Sequence, residues 1–304
     1  MYEYFIQSKL GKINIIEGNN IKVPKGIILH VHGVGSHFQF VYPNLDELTY
    51  RDNFFSKFGY KSYGFEFYGH GKSEGLACCI NEFSDLVTDL VNVISHINYK
   101  YPKKNIFICA ESMGGAVCLK YVIKQLYMDC IKGIILLSPL CGIDEHLKPH
   151  PFIVQVLFTI CRFFPKLQLV LTTKKMGSET TSNQDYIKAK ELCTYGFRGP
   201  HRLCTVRELY HISLWIPENA VEFNLPILII HGSRDKITTP SGSVDVFGKI
   251  KSTDKEIVLL PESDHCLLVP KSRDDLTPNF IYIKILDWIT KHSITKHNTK
   301  VIKK

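Results

Sequence analysis

The stretch FICAESMGGAVC, residues 107–118, sets a serine between a short apolar run and two glycines. Ile106 to Ala110 has the make-up of a buried strand, and apolar residues recur at helical spacing after Ser112. No loop residues separate the two. A strand that ends in x-Ser-x-Gly-Gly and turns directly into a helix is a nucleophile elbow, which holds the serine in a strained turn above the sheet edge. Gly114 and Gly115 supply the small helix-side neighbours that such a turn needs. On the strand side, the usual glycine two residues before the serine is replaced by Ala110, a change of one methyl.

A serine hydroxyl is a weak nucleophile until a base takes its proton. The base is expected late in the chain, with an acid before it. IIHGSRDKITTP presents Asp235 just past one apolar run, and LLPESDHCLLV presents His265 just past the next. Each has a plainer reading, as a turn acid and as a surface histidine. Ser112, Asp235 and His265 in that order, each at a strand end, together favour a catalytic triad for acyl chemistry. His265 takes the Ser112 proton and returns one to the leaving group, while Asp235 fixes the tautomer and stabilises the imidazolium. Asp264 is the competing acid, but adjacent side chains normally diverge. An oxyanion also needs donors. LHVHGVGSH (29–37) leaves a strand and turns at His32-Gly33, and the amides of Val34 and Met113 are the expected donors.

FEFYGHGKSEG (65–75) carries Gly69, Gly71 and Gly75, suited to a loop with positive φ. It lacks phosphate-loop spacing, so it is read as scaffold, and His70 is left outside the catalytic set. The elements that must position these residues follow from hydrophobic pattern. Residues 25–33, 60–67, 104–110, 131–139, 225–232 and 255–261 read as strands, with 11–18 as an added edge strand. Residues 81–99, 114–125 and 280–289 place apolar residues at three- and four-residue steps, as helices do. Alternating strands and helices predict an α/β fold, with a mostly parallel central sheet covered by helices on both faces.

The rhythm breaks between residues 141 and 224, an interval too long for a loop in a compact domain. It is expected to be an inserted helical cap. The predicted organisation is a first core part over 1–140, the cap over 141–224, a second core part over 225–292 and a basic tail over 293–304. In the cap, Phe152, Ile153, Val156, Leu157, Ile160, Phe163 and Phe164 suit either an entry face for an acyl chain or packing on the core.

Composition excludes several classes. Phe152 to Leu171 is the nearest approach to a membrane span, and Gln155, Arg162, Pro165 and Lys166 break it. The first dozen residues lack a basic flank followed by an apolar core, so no signal peptide is expected, and a cytoplasmic placement is. Ten cysteines stand in apolar contexts with no CxxC pair, which reads as reduced, buried thiols. His146 and His150 come nearest to ligand spacing and do not make a zinc site. No metal and no organic cofactor is expected. The net charge of +8 owes much to TKHSITKHNTKVIKK, read as a solvated terminus with weak attraction to anionic membranes as the alternative. No nucleic-acid motif accompanies it, so no nucleic-acid partner is predicted.

Taken together, these segments resemble the serine α/β hydrolases of the monoacylglycerol lipase and lysophospholipase group. HGVG looks like the family's HG-x-G segment, GHGKSEG like its GHG-x-SEG, and ESMGGA like its (H/E)SMGGA elbow. HGSRDKITTP and ESDHCLL resemble its acid and histidine segments. CTYGFRGPHRLCTVREL is similar to the cap stretch that ends in a helix opening TMREL, as in plant-like members. The similarity runs from about Gly26 to Trp288, and departs from the pattern at Ala110 and at Glu66, where aspartate is usual. It implies an α/β-hydrolase fold and cleavage of the ester of a single-acyl-chain lipid, monoacylglycerol first and lysophospholipid second. It also implies a cap whose apolar helix meets the membrane. A broad carboxylesterase, an acyltransferase and a non-catalytic lipid-binding protein on the same fold are the competing readings.

Overall fold

The computed structural model describes residues 1–18, 21–38, 47–142, 150–168 and 179–293. Among these, eight strands form one sheet in the order β1-β2-β4-β3-β5-β6-β7-β8. The strands are β1 (Tyr2–Gln7), β2 (Lys12–Glu17), β3 (Gly26–Val31), β4 (Tyr60–Phe65), β5 (Asn105–Glu111), β6 (Ile131–Leu137), β7 (Ile227–Gly232) and β8 (Lys255–Leu260). The β1–β2 and β2–β4 pairings are antiparallel and the other five are parallel. The chain therefore has the predicted α/β-hydrolase architecture.

One expectation is corrected. Residues 11–18 form β2, but β2 is not the edge, because Tyr2–Gln7 pairs outside it. The signal was there in YEYFIQ, whose alternate residues are exposed, as on a half-covered outer strand.

Strand pleating sorts the core into two layers. Ile27, Leu29 and Val31 of β3 join Ile106, Ile108 and Ala110 of β5 and Ile227 and Ile229 of β7 on one face. That face is covered by α2 (Phe83–Lys100), α3 (Met113–Ile123) and residues from the helices at 203–219 and 240–249. The alternate residues Ile28, Phe107, Cys109, Leu228 and Ile230 face α1 (Glu47–Ser56) and the helix at 277–293 through Phe55, Ile281, Ile285 and Trp288. Burial on both faces explains why these strands read as unbroken apolar runs.

Between β6 and β7 lie α4 (Pro151–Phe163), α5 (Gln184–Leu192) and α6 (Leu203–Asn219). α6 sends Ile212 and Ile216 into the main core, and its first turn packs Leu203 and Cys204 against Leu157 and Cys161 of α4. Only Leu157 and Cys161 of α4 are buried, whereas Phe152, Ile153, Val156 and Phe163 are exposed. The remaining helices are α7 (Pro240–Lys249) and α8 (Thr277–Ser293). His146, residues 169–178 and the tail from 294 lie outside the described residues.

A buried ionic cluster ties the antiparallel edge to the helical layer. Glu17 at the end of β2 takes Lys61 Nζ at 2.9 Å and Tyr101 Oη at 2.9 Å, and also pairs with Lys100. Burial alone would raise its carboxyl, but the hydrogen bonds from Lys100, Lys61 and Tyr101 outweigh it and hold the pKa at about 2. The folded state thus favours the carboxylate. Its contribution is full above the ordinary value of 4.5 and is lost as pH falls towards about 2. Glu17→Gln is expected to lower the urea midpoint at pH 7, with the gap from wild type closing between pH 4.5 and pH 2.

Candidate active site

β5 ends at Glu111, α3 begins at Met113, and Ser112 alone makes the turn, with φ 51° and ψ −119°. A non-glycine residue in the left-handed region costs on the order of 1–3 kcal/mol and persists only where its surroundings hold it. Here Ser112 N–H donates to Leu137 O at 3.1 Å, and Ser112 O accepts Leu140 N–H and Gly115 N–H, each at 3.0 Å. Space sets the glycines. A Cβ on Gly114 would lie 2.7 Å from His32 O and 2.8 Å from Val31 O, and one on Gly115 would lie 2.7 Å from Pro139 Cβ. Ala110, by contrast, sits in register between Val31 and Leu136 and adds its methyl to the core. The strand side of this elbow therefore accommodates alanine.

The turn after β3 closes on the same serine. A Cβ on Gly33 would stand 3.1 Å from Ser112 Cβ. His32 braces this turn: Nδ1–H donates to Gly33 O at 2.7 Å, and Nε2 accepts Phe67 N–H at 3.2 Å. Burial holds the His32 imidazole well below its ordinary pKa, so it is neutral, as this donor–acceptor pairing requires. Val34 follows Gly33 and precedes Gly35, whose φ is +66°. Met113 is the first residue of α3, so its N–H has no carbonyl one turn back to bond. The pattern HGVG pointed to the turn, but not to His32 as its brace.

Asp235 follows β7 and His265 follows β8, and the structure brings them together. His265 Nδ1 is 2.7 Å from Asp235 Oδ2. A carboxylate accepts, so Nδ1 carries the hydrogen and Nε2 is left as the basic nitrogen. Asp235 Oδ1 accepts Ile237 N–H at 2.8 Å and Thr238 N–H at 3.0 Å. Oδ2 also accepts Thr238 Oγ1–H at 2.8 Å and lies 3.1 Å from His231 Nε2. Burial would raise the carboxyl, but the charge of His265 and the hydrogen bonds from His231 and His265 hold it well below its ordinary range. Asp264 turns away and accepts Ser182 N–H at 2.9 Å through Oδ2. Among the described residues no hydrogen bond joins His265 Nε2 to Ser112 Oγ. Such bonds are commonly loose without substrate and tighten in the complex.

The GHG loop buttresses the site. Gly69, Gly71 and Gly75 have φ of +78°, +54° and +113°. Lys72 N–H and Asn14 Nδ2–H donate to Glu66 Oε2 at 2.7 and 3.1 Å, so Glu66 anchors the loop. The segment before α6 reaches the turn after β3 from the other side, where Phe197 N–H donates to Gly35 O at 3.3 Å. A cavity of about 340 Å³ lies between them, lined by Gly35, Ser36, His70, Tyr195 and Arg198. Next to the serine, Glu111 pairs with Arg51, a fully buried cation that no motif announced. Among the described residues no group of three or more His, Cys, Asp or Glu is arranged to hold a metal.

Serine, acid and histidine loops that leave the carboxyl ends of β5, β7 and β8 in this order define the α/β hydrolase class. Residues 22–271 match the family described as serine aminopeptidase, S33 (Hydrolase_4), and the chain belongs to that family. A monoglyceride lipase of Saccharomyces cerevisiae is 25% identical over 97% of this chain and 94% of its own. The caffeoylshikimate esterase of Arabidopsis thaliana is 24% identical over 91% of this chain and 80% of its own. Among solved structures, a soluble variant of the yeast monoglyceride lipase in complex with a substrate analog superposes with TM-score 0.81 at 20% identity, covering 97% of this chain and 96% of that one. The monoacylglycerol lipase of Paleococcus ferrophilus gives TM-score 0.76 at 20% identity, over 96% of this chain and 100% of that one.

Two outcomes test the geometry. Gly114→Ala forces a methyl onto two backbone oxygens, so it is expected to destabilise the fold by roughly 2–3 kcal/mol, read by urea denaturation. Asp235→Asn is expected to leave the circular dichroism spectrum intact while kcat for an ester substrate falls roughly ten-thousandfold, because the amide selects the wrong imidazole tautomer.

Proposed function

We propose that the protein is a carboxylic ester hydrolase acting on single-acyl-chain lipids, with monoacylglycerol as its substrate. One observation carries the reading. Ser112 is held at a positive-φ elbow, and a buried carboxylate 2.7 Å from His265 leaves that imidazole with one free basic nitrogen. Ser112 is the nucleophile, His265 the general base and acid, and Asp235 its orienting partner. Ser112 Oγ attacks the ester carbonyl as its proton passes to His265 Nε2. The oxyanion is stabilised by the amides of Val34 and Met113. Collapse of the tetrahedral intermediate releases the alcohol, which takes its proton from His265. Water, deprotonated by His265, then frees the fatty acid from the acyl-enzyme. No metal or organic cofactor has a role to fill.

The lipid assignment draws support from the relatives and from α4. Its exposed Phe152, Ile153, Val156 and Phe163 give an apolar face suited to a lipid acyl chain. Residues 141–224 are taken as the cap, and α4 as the face that meets the membrane and admits the acyl chain. A cytoplasmic protein bound peripherally belongs to the same proposal. Among the described residues no helix is long and apolar enough to cross a bilayer. A second reading, a carboxylesterase for smaller esters, draws on the similarity to caffeoylshikimate esterase.

Ser112→Ala is expected to abolish both turnover and labelling by a fluorophosphonate probe, with folding spared. Retained wild-type turnover in that variant would end the assignment. A chain-length series of glycerol and nitrophenyl esters separates the two substrate classes. The lipid reading expects kcat/KM to rise with acyl length and to fall when Phe152 and Phe163 are replaced by serine. A maximum at acetate or at an aromatic acid selects the carboxylesterase.

A further inference from the structure

Asp235 is contacted by two imidazoles, and the triad uses only one of them. The other belongs to His231, four residues earlier at the end of β7 and fully buried. Its Nε2 lies 3.1 Å from Asp235 Oδ2 and 3.2 Å from Thr238 O. Both partners are acceptors, so Nε2 carries the hydrogen and donates to them. Its Nδ1 lies 2.8 Å from Ser243 Oγ on α7, whose hydroxyl is placed to donate to it. A hydrogen-bonded chain therefore runs from the helical layer through Ser243, His231 and Asp235 to His265.

We propose that His231 is a positioning residue that acts through Asp235, fixing the carboxylate and limiting how tightly it holds the proton on His265. The reasoning is electrostatic. Oδ2 receives His265, and it also receives Thr238 Oγ1–H and His231 Nε2–H. Each added donor draws charge from that oxygen and weakens its pull on the imidazolium. A buried carboxylate oxygen with few competing donors pulls hardest on its imidazole partner. A third donor tempers it, which keeps Nε2 of His265 available for the serine proton. The ionisable groups packed about the acid are His231 from β7, His265 from the loop after β8 and its neighbour Asp264, which is occupied by Ser182 N–H. Among the described residues, α7 and the 233–239 turn contribute the hydroxyls of Ser243 and Thr238.

The proposal rests on the hydrolase reading for its kinetics but not for its direct readout. His231→Phe keeps a ring and removes the donor, whereas His231→Gln keeps an amide donor. In 15N-histidine-labelled protein followed by NMR, the His265 titration midpoint is expected to rise by about half a pH unit or more in His231→Phe and to stay near wild type in His231→Gln. With a nitrophenyl butyrate substrate, the acid limb of kcat/KM should move up by the same amount. kcat at pH 7 should fall about tenfold with KM little changed, and Gln should restore it. A folded His231→Phe whose His265 midpoint is unmoved or lower overturns the proposal, since a purely structural role would leave that midpoint alone. If His231→Phe does not fold, Ser243→Ala takes its place. It removes the anchor of His231, and the same upward shift, of smaller size, decides the matter. If the midpoint moves but no ester is turned over even by wild type, the hydrolase reading fails and the positioning role stands.

Discussion

The site depends on how closely one helix start approaches two strand ends. α3 begins where a Cβ on Gly114 would strike the carbonyl oxygens of Val31 and His32, and where one on Gly115 would strike Pro139. That contact leaves no room for a connecting loop, so the chain turns on Ser112 alone, in a backbone region that L residues avoid. The strain is contained by neighbours on either side. The end of β6 and the segment after it supply Leu137 O as acceptor and Leu140 N–H as donor, and the turn after β3 closes over the serine at Gly33. The hydroxyl stands at the carboxyl edge of the sheet because the backbone beneath it cannot relax without moving β3 or β6.

The same edge gathers the other groups. In a parallel sheet every strand delivers its following loop to one side, so loops distant in sequence meet there. β7 delivers Asp235, β8 delivers His265, and β3 delivers the His32-Gly33 turn. Buried polar groups then lock these loops. His32 spans from Gly33 O to Phe67 N–H, Glu66 accepts the Lys72 amide, and Asp235 receives donors from three residues besides His265. Each of these groups is withdrawn from water and would be costly to leave without a partner. The result is a preorganised set of donors and acceptors over one edge, with α4 and α6 beside it. α6 packs its first turn against α4 and its later turns into the core.

Much of this was legible in the linear chain because it depends on local chemistry. Six apolar runs became β3 to β8, since strands covered on both faces must be apolar throughout. The elbow was legible because the serine and the glycines that permit its turn are neighbours. The order of acid and histidine was legible because each lies just past a strand. The loop glycines at 69, 71 and 75 announced positive φ, which few other residues adopt readily. The outer strand β1 was missed because half-exposed residues give a weaker signal than buried ones.

Residue type and spacing thus pointed to the fold class and to candidates for nucleophile, acid and base, since those follow from backbone sterics and from the proton needs of a serine. Spacing could not tell which groups touch. The second imidazole on Asp235 and the pairing of Arg51 with Glu111 join segments far apart in the chain or turn on side-chain direction. Such contacts exist only once the sheet has brought its loop ends to one edge, because a hydrogen bond acts over about 3 Å and sequence carries no record of that distance.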